Sequence, residues 1–172
     1  MQDNTGLIWV GTFGGGVSRL DPRTGKFAKF TPNSEVGGTL SSARATALAQ
    51  GKDGVVWVGT DGGGLNYLKP EDGEWRQLRH DPDDLQSLSA NTIYALHVDA
   101  RGRVWVGSRQ GLDRVSSWPL SGQDAHVIET ATPEGIMRSA VFGIQSDVHG
   151  NLWISSSQGL WSFNPDTGDY RA

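Results

Sequence analysis

Trp9, Trp57, Trp105 and Trp153 stand 48 residues apart, and each is the third residue after a glycine: Gly6, Gly54, Gly102 and Gly150. A period of this length, kept over four copies, means one supersecondary unit stacked on copies of itself. A chain that repeats in this way has to bury the same side chains in the same manner each time.

The third copy shows the unit most plainly. Two β-like runs, 93–98 and 104–107, are joined by the turn Asp99-Ala100-Arg101-Gly102, and a second turn at Gln110-Gly111 opens a third run. The same reading predicts strands over 7–12, 17–20 and 26–30 in the first copy, and over 45–49, 55–60, 65–68 and 74–78 in the second. In the third it predicts 93–98, 104–108, 112–115 and an outer strand near 126–129. In the fourth it predicts 141–146, 152–156 and 160–163, with an outer strand opening at Tyr170. The runs are short, rich in β-branched and aromatic residues, and bounded by Gly, Pro and Asp; none keeps a helical period. Turns such as Asp21-Pro22-Arg23-Thr24-Gly25 and Asn164-Pro165-Asp166-Thr167-Gly168 pair an early proline with a late glycine, as hairpin turns require. Copies one and two carry Gly-Gly-Gly at the second turn (Gly14–16, Gly62–64), whereas copies three and four carry Gln-Gly, one residue shorter.

Four antiparallel strands per 48 residues, repeated radially, describe a β-propeller blade. The expected fold is therefore all-β: four blades, each a four-stranded meander, at about 1–31, 43–79, 91–130 and 139–172. The first blade begins on the turn Asp3-Asn4-Thr5-Gly6 with no inner strand before it, so the expectation is a portion of a larger propeller.

Composition narrows the function. The formal net charge is −4, and the 15 basic and 19 acidic residues are spread along the chain. With no basic run to follow a phosphate backbone, nucleic acid is not an expected partner. There is no cysteine, which removes disulfides, thiolate metal sites and thiol catalysis.

The string Leu88-Ser89-Ala90-Asn91-Thr92-Ile93-Tyr94, followed by Asp99, Gly102, Trp105-Val106-Gly107-Ser108 and Gly111-Leu112, resembles the repeat of the two-component regulator propeller family. Trp57-Val58-Gly59-Thr60 with Gly64-Leu65, and Trp9-Val10-Gly11-Thr12 with Gly16-Val17, are similar to it as well. Two departures stand out: Gly51 replaces the turn aspartate in copy two, and Ser155-Ser156 replaces Gly-Thr in copy four. The resemblance implies the periplasmic sensor region of a hybrid histidine kinase or a diguanylate cyclase. In such proteins a membrane helix and a cytoplasmic output domain follow the propellers.

No residue pattern calls for catalysis or a cofactor. Each repeated tryptophan is expected to wedge between adjacent blades, burying about 150–250 Å². The Asp-x-x-Gly turns (Asp3, Asp99, Asp147) offer one carboxylate each, too few for calcium, and read as turn formers. The cluster His80-Asp81-Pro82-Asp83-Asp84 reads as a solvated connection, and His97, His126 and His149 occupy unrelated repeat positions without ligand spacing. The glycine triplets open no helix, so the phosphate-cradling contexts fail. No Gly-x-Ser-x-Gly elbow occurs. The chain is expected to contain neither a metal nor a cofactor site and not to be an enzyme by itself.

In a meander the loops before the first strand and after the second strand share one end of every blade. Scaffold positions at that end repeat, whereas Phe13, Asp61 and Arg109 after the second strands, and Arg44, Asn91 and Arg138 near the first-strand entries, differ between copies. These six are the expected ligand-binding residues, and an extracellular small molecule, with carbohydrate foremost, is the expected ligand. Two other readings are a propeller enzyme resembling the streptogramin-inactivating lyases and a protein-interaction scaffold. The terminal blade faces carry unmatched apolar residues, so the chain is expected to self-associate, as a dimer completing a ring.

Overall fold

The computed structural model describes residues 1–32, 39–69, 73–115, 128–130 and 139–172. These residues form strands and turns, and among them no helix is long and apolar enough to cross a membrane. Blade 1 comprises β1 (Ile8–Thr12), β2 (Gly16–Asp21) and β3 (Lys26–Phe30). Blade 2 comprises β4 (Ala45–Gln50), β5 (Val56–Thr60), β6 (Gly64–Leu68) and β7 (Trp75–Leu78). Blade 3 has β8 (Ile93–Val98), β9 (Val104–Ser108), β10 (Gly111–Val115) and β11 (Ile128–Thr130). Blade 4 has β12 (Val141–Ser146), β13 (Leu152–Ser156), β14 (Gly159–Phe163) and β15 (Tyr170–Arg171). In every sheet the strands pair antiparallel in chain order. The all-β propeller architecture read from the 48-residue period is the one found. The outer strand expected near 126–129 is β11; residues 126 and 127 lie outside the described residues.

Blade 1 has three strands, and two residues stand where its inner strand would end. The Trp9 amide donates to the Met1 carbonyl at 2.8 Å, the Met1 amino group donates to the Trp9 carbonyl at 3.0 Å, and Gln2 bridges to Ile8. Met1 thus takes the position that Ala49, 48 residues later, holds opposite Trp57.

Each blade packs on the next through the same few positions. Trp9 of β1 is buried with Val56, Val58, Leu68 and Trp75 of blade 2. Trp57 of β5 is buried with Val104, Val106 and Val115 of blade 3. Trp105 of β9 is buried with Leu152, Ile154 and Phe163 of blade 4. These three indoles are 1–2% exposed. At about 25 cal/mol per Å², burying each contributes roughly 4–6 kcal/mol before chain entropy is counted. Trp153 departs from the expected inter-blade role: it is 44% exposed, because among the described residues no sheet lies on that side of blade 4.

The turn aspartates do more than turn the chain. Asp3, Asp99 and Asp147 accept the indole N–H of Trp9, Trp105 and Trp153 at 2.7, 3.0 and 3.3 Å. The same carboxylates cap backbone amides within their turns, as Asp99 does for Arg101 and Arg103. A tryptophan buried flat against the next blade needs an acceptor for its N–H, and the residue six positions earlier supplies it. In blade 2 that position is Gly51, and Trp57 instead sits against Tyr67 with ring centroids 5.2 Å apart.

Inner strands approach closely over glycine. A Cβ on Gly59 would sit 2.7 Å from Ile93 Cγ2, and one on Gly107 would sit 2.7 Å from Val141 Cγ1. On Gly11 it would meet Ala45 Cβ at 3.0 Å. The Trp-Val-Gly motif therefore combines the wedge with the gap that lets the following first strand in. Gly107→Ala is expected to cost about 1–3 kcal/mol by overpacking. Ser155→Ala, at the matching position of blade 4, should change stability by less than about 0.5 kcal/mol; urea unfolding of both variants reads the contrast.

Burial works to raise the Asp99 pKa, but hydrogen bonds from Trp105 and Arg103 and the Arg103 charge outweigh it and hold the carboxyl below its ordinary value of 3.8. A folded-state pKa below the unfolded one adds stability above the unfolded value, lost as pH falls through the folded one. Asp99→Asn is therefore expected to be less stable than the parent at neutral pH and to show a shallower decline of Tm as pH drops below about 3.8. Thermal melts from pH 7 to 2.5 test both signs.

Candidate functional site

The first strands of neighbouring blades touch directly, β4 against β8 and β8 against β12, and β4 also packs against β1, the second-strand counterpart in blade 1. They form the inner wall of the arc, while the sheets splay apart toward their outer strands. At one end of this wall the loop after each second strand meets the entry to a first strand. The joint is a backbone one: amides of Asp61, Arg109 and Ser157 donate to the carbonyls of Arg44, Thr92 and Ala140 at 2.9–3.0 Å. Between blades, Gly14 and Gly16 donate to the Ala43 carbonyl, and Gly64 donates to the Asn91 carbonyl. Gly16 and Gly64 hold φ of 74° and 80°, and a Cβ on either would sit 2.2–2.3 Å from a carbonyl oxygen, of Phe30 and Leu78 respectively. Glycine is required there.

On this backbone frame the side chains form a row across three blades. Arg44 lies over the exposed Phe13 ring, with its guanidinium carbon 5.5 Å from the centroid. Its Nη1 pairs with Asp61 Oδ2 at 3.1 Å, and Asp61 Oδ1 accepts the Thr92 hydroxyl at 3.2 Å. Phe13, Arg44 and Asp61, three of the six residues picked from sequence, are thereby brought together. Arg109 is exposed at the equivalent place on blade 3, with its amide on the Thr92 carbonyl. Asn91 does not join the row: its Oδ1 accepts the His80 amide at 2.8 Å, tying the connection between blades 2 and 3. Arg138 lies outside the described residues.

The inner wall adds residues that sequence reasoning missed. β4, β8 and β12 each carry a bulge just after their first residue, skipping Thr46, Tyr94 and Phe142 in the ladder. A bulge frees one side chain from the alternation of the strand. Thr46 uses the freedom to donate to the Ile93 carbonyl of the next blade at 2.6 Å. The Tyr94 and Phe142 rings lie side by side across blades 3 and 4, centroids 5.3 Å apart and tilted by 40°, with Phe142 largely exposed. The signal was available: 46, 94 and 142 are 48 apart and hold three different residues, so the criterion used for the loops, applied to the strands, finds them.

The rim thus offers an aromatic wall, a guanidinium held by a carboxylate, and a second, exposed guanidinium with no side-chain partner among the described residues. Such a surface stacks the apolar faces of a ring and hydrogen-bonds its polar substituents. Cavities of about 390 and 210 Å³ open at the opposite end of the blades. They are wedges between diverging sheets, lined in part by the repeated turns (Asp3, Gly54, Gly102). Among the described residues no group of three or more His, Asp or Glu side chains converges to hold a metal ion. His80 and His97 are engaged with the Leu88 carbonyl and the Ser146 hydroxyl, on different blades.

The model of the two-component regulator propeller family matches residues 39–62 and 87–110. Among the curated proteins there is no match. Among solved structures, PorZ of Porphyromonas gingivalis, a bacterial surface component of the type-IX secretion system, superposes with a TM-score of 0.74 at 19% identity, over 99% of this chain and 26% of that one. The extracellular domain assigned to a hybrid two-component system of B. thetaiotaomicron gives 0.56 at 18% identity, over 99% of this chain and 27% of that one. Virginiamycin B lyase from Staphylococcus aureus gives 0.69 at 15% identity, over 99% and 53%. At these identities the likeness speaks for the fold. The chain spans between a quarter and about half the length of these proteins.

Because Arg44 and Asp61 are partly exposed, their ion pair holds the rim in shape more than it holds the fold together. Arg44→Ala is expected to lower unfolding free energy by no more than about 1 kcal/mol, measured by urea denaturation.

Proposed function

On the premise that the chain carries two-component regulator propeller repeats, we propose that it is an extracytoplasmic ligand-sensing segment of a signal-transduction receptor and is not catalytic by itself. The parent would be a hybrid histidine kinase or a diguanylate cyclase, with the propeller outside the cytoplasmic membrane and the output domain beyond it. The ligand class is carbohydrate or another small extracellular molecule that pairs an apolar ring face with polar or anionic groups. One observation carries this reading: the residues that break the repeat (Phe13, Arg44, Asp61, Tyr94, Arg109 and Phe142) gather on one end and inner wall of the arc, while the repeated Trp9, Trp57 and Trp105 are buried between blades.

The solved lyases share the propeller fold, so a propeller enzyme is the second reading. It would require an acid–base pair in reach of one substrate, and the described histidines are spread over different parts of the arc: the rings of His80 and His97 are engaged with scaffold groups, and His149 is exposed on a turn of blade 4. A turnover assay beside the binding assay separates the two.

Isothermal titration with a panel of neutral and uronic-acid-containing oligosaccharides is the direct test. At least one is expected to bind in the micromolar to millimolar range. The Phe142→Ala/Arg109→Ala double variant should bind it at least about 10-fold more weakly, the loss of one stacking or charged contact being worth 1.4 kcal/mol or more. An unchanged affinity in the double variant would refute the rim as the site.

A further inference from the structure

Arg19 and Arg114 hold equivalent places in the ladder, each directly across from the wedge tryptophan of its blade, Trp9 and Trp105. Their surroundings differ in one respect. Arg114 lies over the Trp105 ring and pairs with Glu129, its neighbour across β11. Arg19 lies over two rings, its guanidinium carbon 5.5 Å from the Trp9 centroid and 5.7 Å from that of Phe30. Its neighbour across β3, in the place of Glu129, is Ala28. Blades 2 and 4 set Tyr67 opposite Arg76 and Ser162 opposite Arg171 there, so among the described pairs only blade 1 sets an arginine against an apolar residue. Half-buried, Arg19 lines the cavity of about 390 Å³ between blades 1 and 2, together with Leu7, Leu68 and Lys69. It also lines a second cavity, of about 490 Å³, over the outer strands of blade 1. The carboxylates of both cavities are engaged elsewhere. Asp3 accepts the Trp9 indole, the Thr5 hydroxyl and the amides of Thr5 and Leu7. Asp53 accepts the Val55 amide at 3.2 Å, and Asp21 the Arg23 amide at 2.9 Å. No carboxylate among the described residues pairs with Arg19.

We propose that the cavity between blades 1 and 2 binds a small organic acid, whose carboxylate takes on Arg19 the place that Glu129 takes on Arg114. A guanidinium stacked on ring faces keeps its N–H groups at its edge, so the stacking orients the fork without using its donors. A carboxylate fits that fork through two parallel hydrogen bonds. Leu7 and Leu68 give the body of the acid apolar contact, and Lys69 adds a positive charge from blade 2. The site lies at the end of the blades opposite the rim and shares no residue with it, so the two stand or fall separately. Because the acid bridges two sheets of the folded chain, it also stabilises their joint against unfolding.

Isothermal titration with glutarate, benzoate and galacturonate compares an aliphatic, an aromatic and a sugar acid as probes. At least one is expected to bind one-to-one in the micromolar to millimolar range and to raise the urea midpoint of the chain. Its neutral amide should bind about 10-fold more weakly or less. Ala28→Glu rebuilds within blade 1 the pair that blade 3 already has. This variant should keep the β-sheet circular dichroism and a urea midpoint no lower than the parent's, and bind the acid at least about 10-fold more weakly. Arg19→Gln should lose binding to the same degree. Absence of binding by all three acids overturns the proposal, and so does an Ala28→Glu variant that binds as tightly as the parent. An Ala28→Glu chain that fails to fold overturns it too, since a carboxylate would then have no place beside Arg19. Loss of binding in Phe142→Ala/Arg109→Ala, in place of Ala28→Glu, would put the acid on the rim and refute the cavity.

Discussion

Three sheets in this molecule are held against their neighbours by an indole lying on an aliphatic face, and everything else is arranged around keeping it there. The ring brings most of the buried area, but it also brings a polar N–H that cannot be left unmet in a dry interface. The carboxylate six residues earlier meets that need for Trp9 and Trp105 while forming the turn that starts the tryptophan's own strand. One aspartate thus fixes the turn, the register of the strand and the orientation of the wedge. The glycine two residues after the tryptophan completes the unit by letting the next inner strand approach to van der Waals contact. Wedge, acceptor and gap are local in sequence, and their repetition is what makes the fold periodic.

Much of this was legible without coordinates. The 48-residue tryptophan spacing and the glycine-bounded runs place nearly every strand to within a residue or two, because short-range turn chemistry and strand alternation dominate in a meander. The partner of each carboxylate was not legible, since Asp-x-x-Gly reads first as a turn, and its acceptor role depends on where the indole N–H points after packing. Nor were the bulges at Thr46, Tyr94 and Phe142, which are created by the closing of first strands on second strands and leave no mark in the local hydrophobic pattern. Trp153 shows the converse limit. Its sequence context matches the other three, yet its burial depends on a sheet that does not adjoin it.

The rim divides along the same line. Phe13, Arg44 and Asp61 were found by asking which residues at one end of the blades fail to repeat, and they meet in space because backbone bonds hold each exit loop on an entry strand. Asn91 met the same criterion but serves the frame, accepting the His80 amide. Position in a repeat thus identifies the surface; which atoms on that surface are free is set by contacts with the connections between blades, whose sequences have no period.

The division of labour has an energetic reason. Interior positions are constrained by cavities, close approaches and buried polar groups, where single changes cost several kcal/mol. Rim positions carry solvent-screened pairs and exposed rings, where a change costs little in stability. A surface of that kind can take up new recognition chemistry without disturbing the scaffold beneath it. It also spans blades that are otherwise linked mainly through side-chain packing. The Phe13–Arg44–Asp61–Thr92 row crosses blades 1 to 3, and the Tyr94–Phe142 pair crosses blades 3 and 4. A molecule gripping both would tie all four sheets together at one end, adding resistance to the splaying that the wedges oppose from within. Because the contacts lie across the blade joints rather than within a single sheet, a molecule bound there would act on the relative placement of the blades.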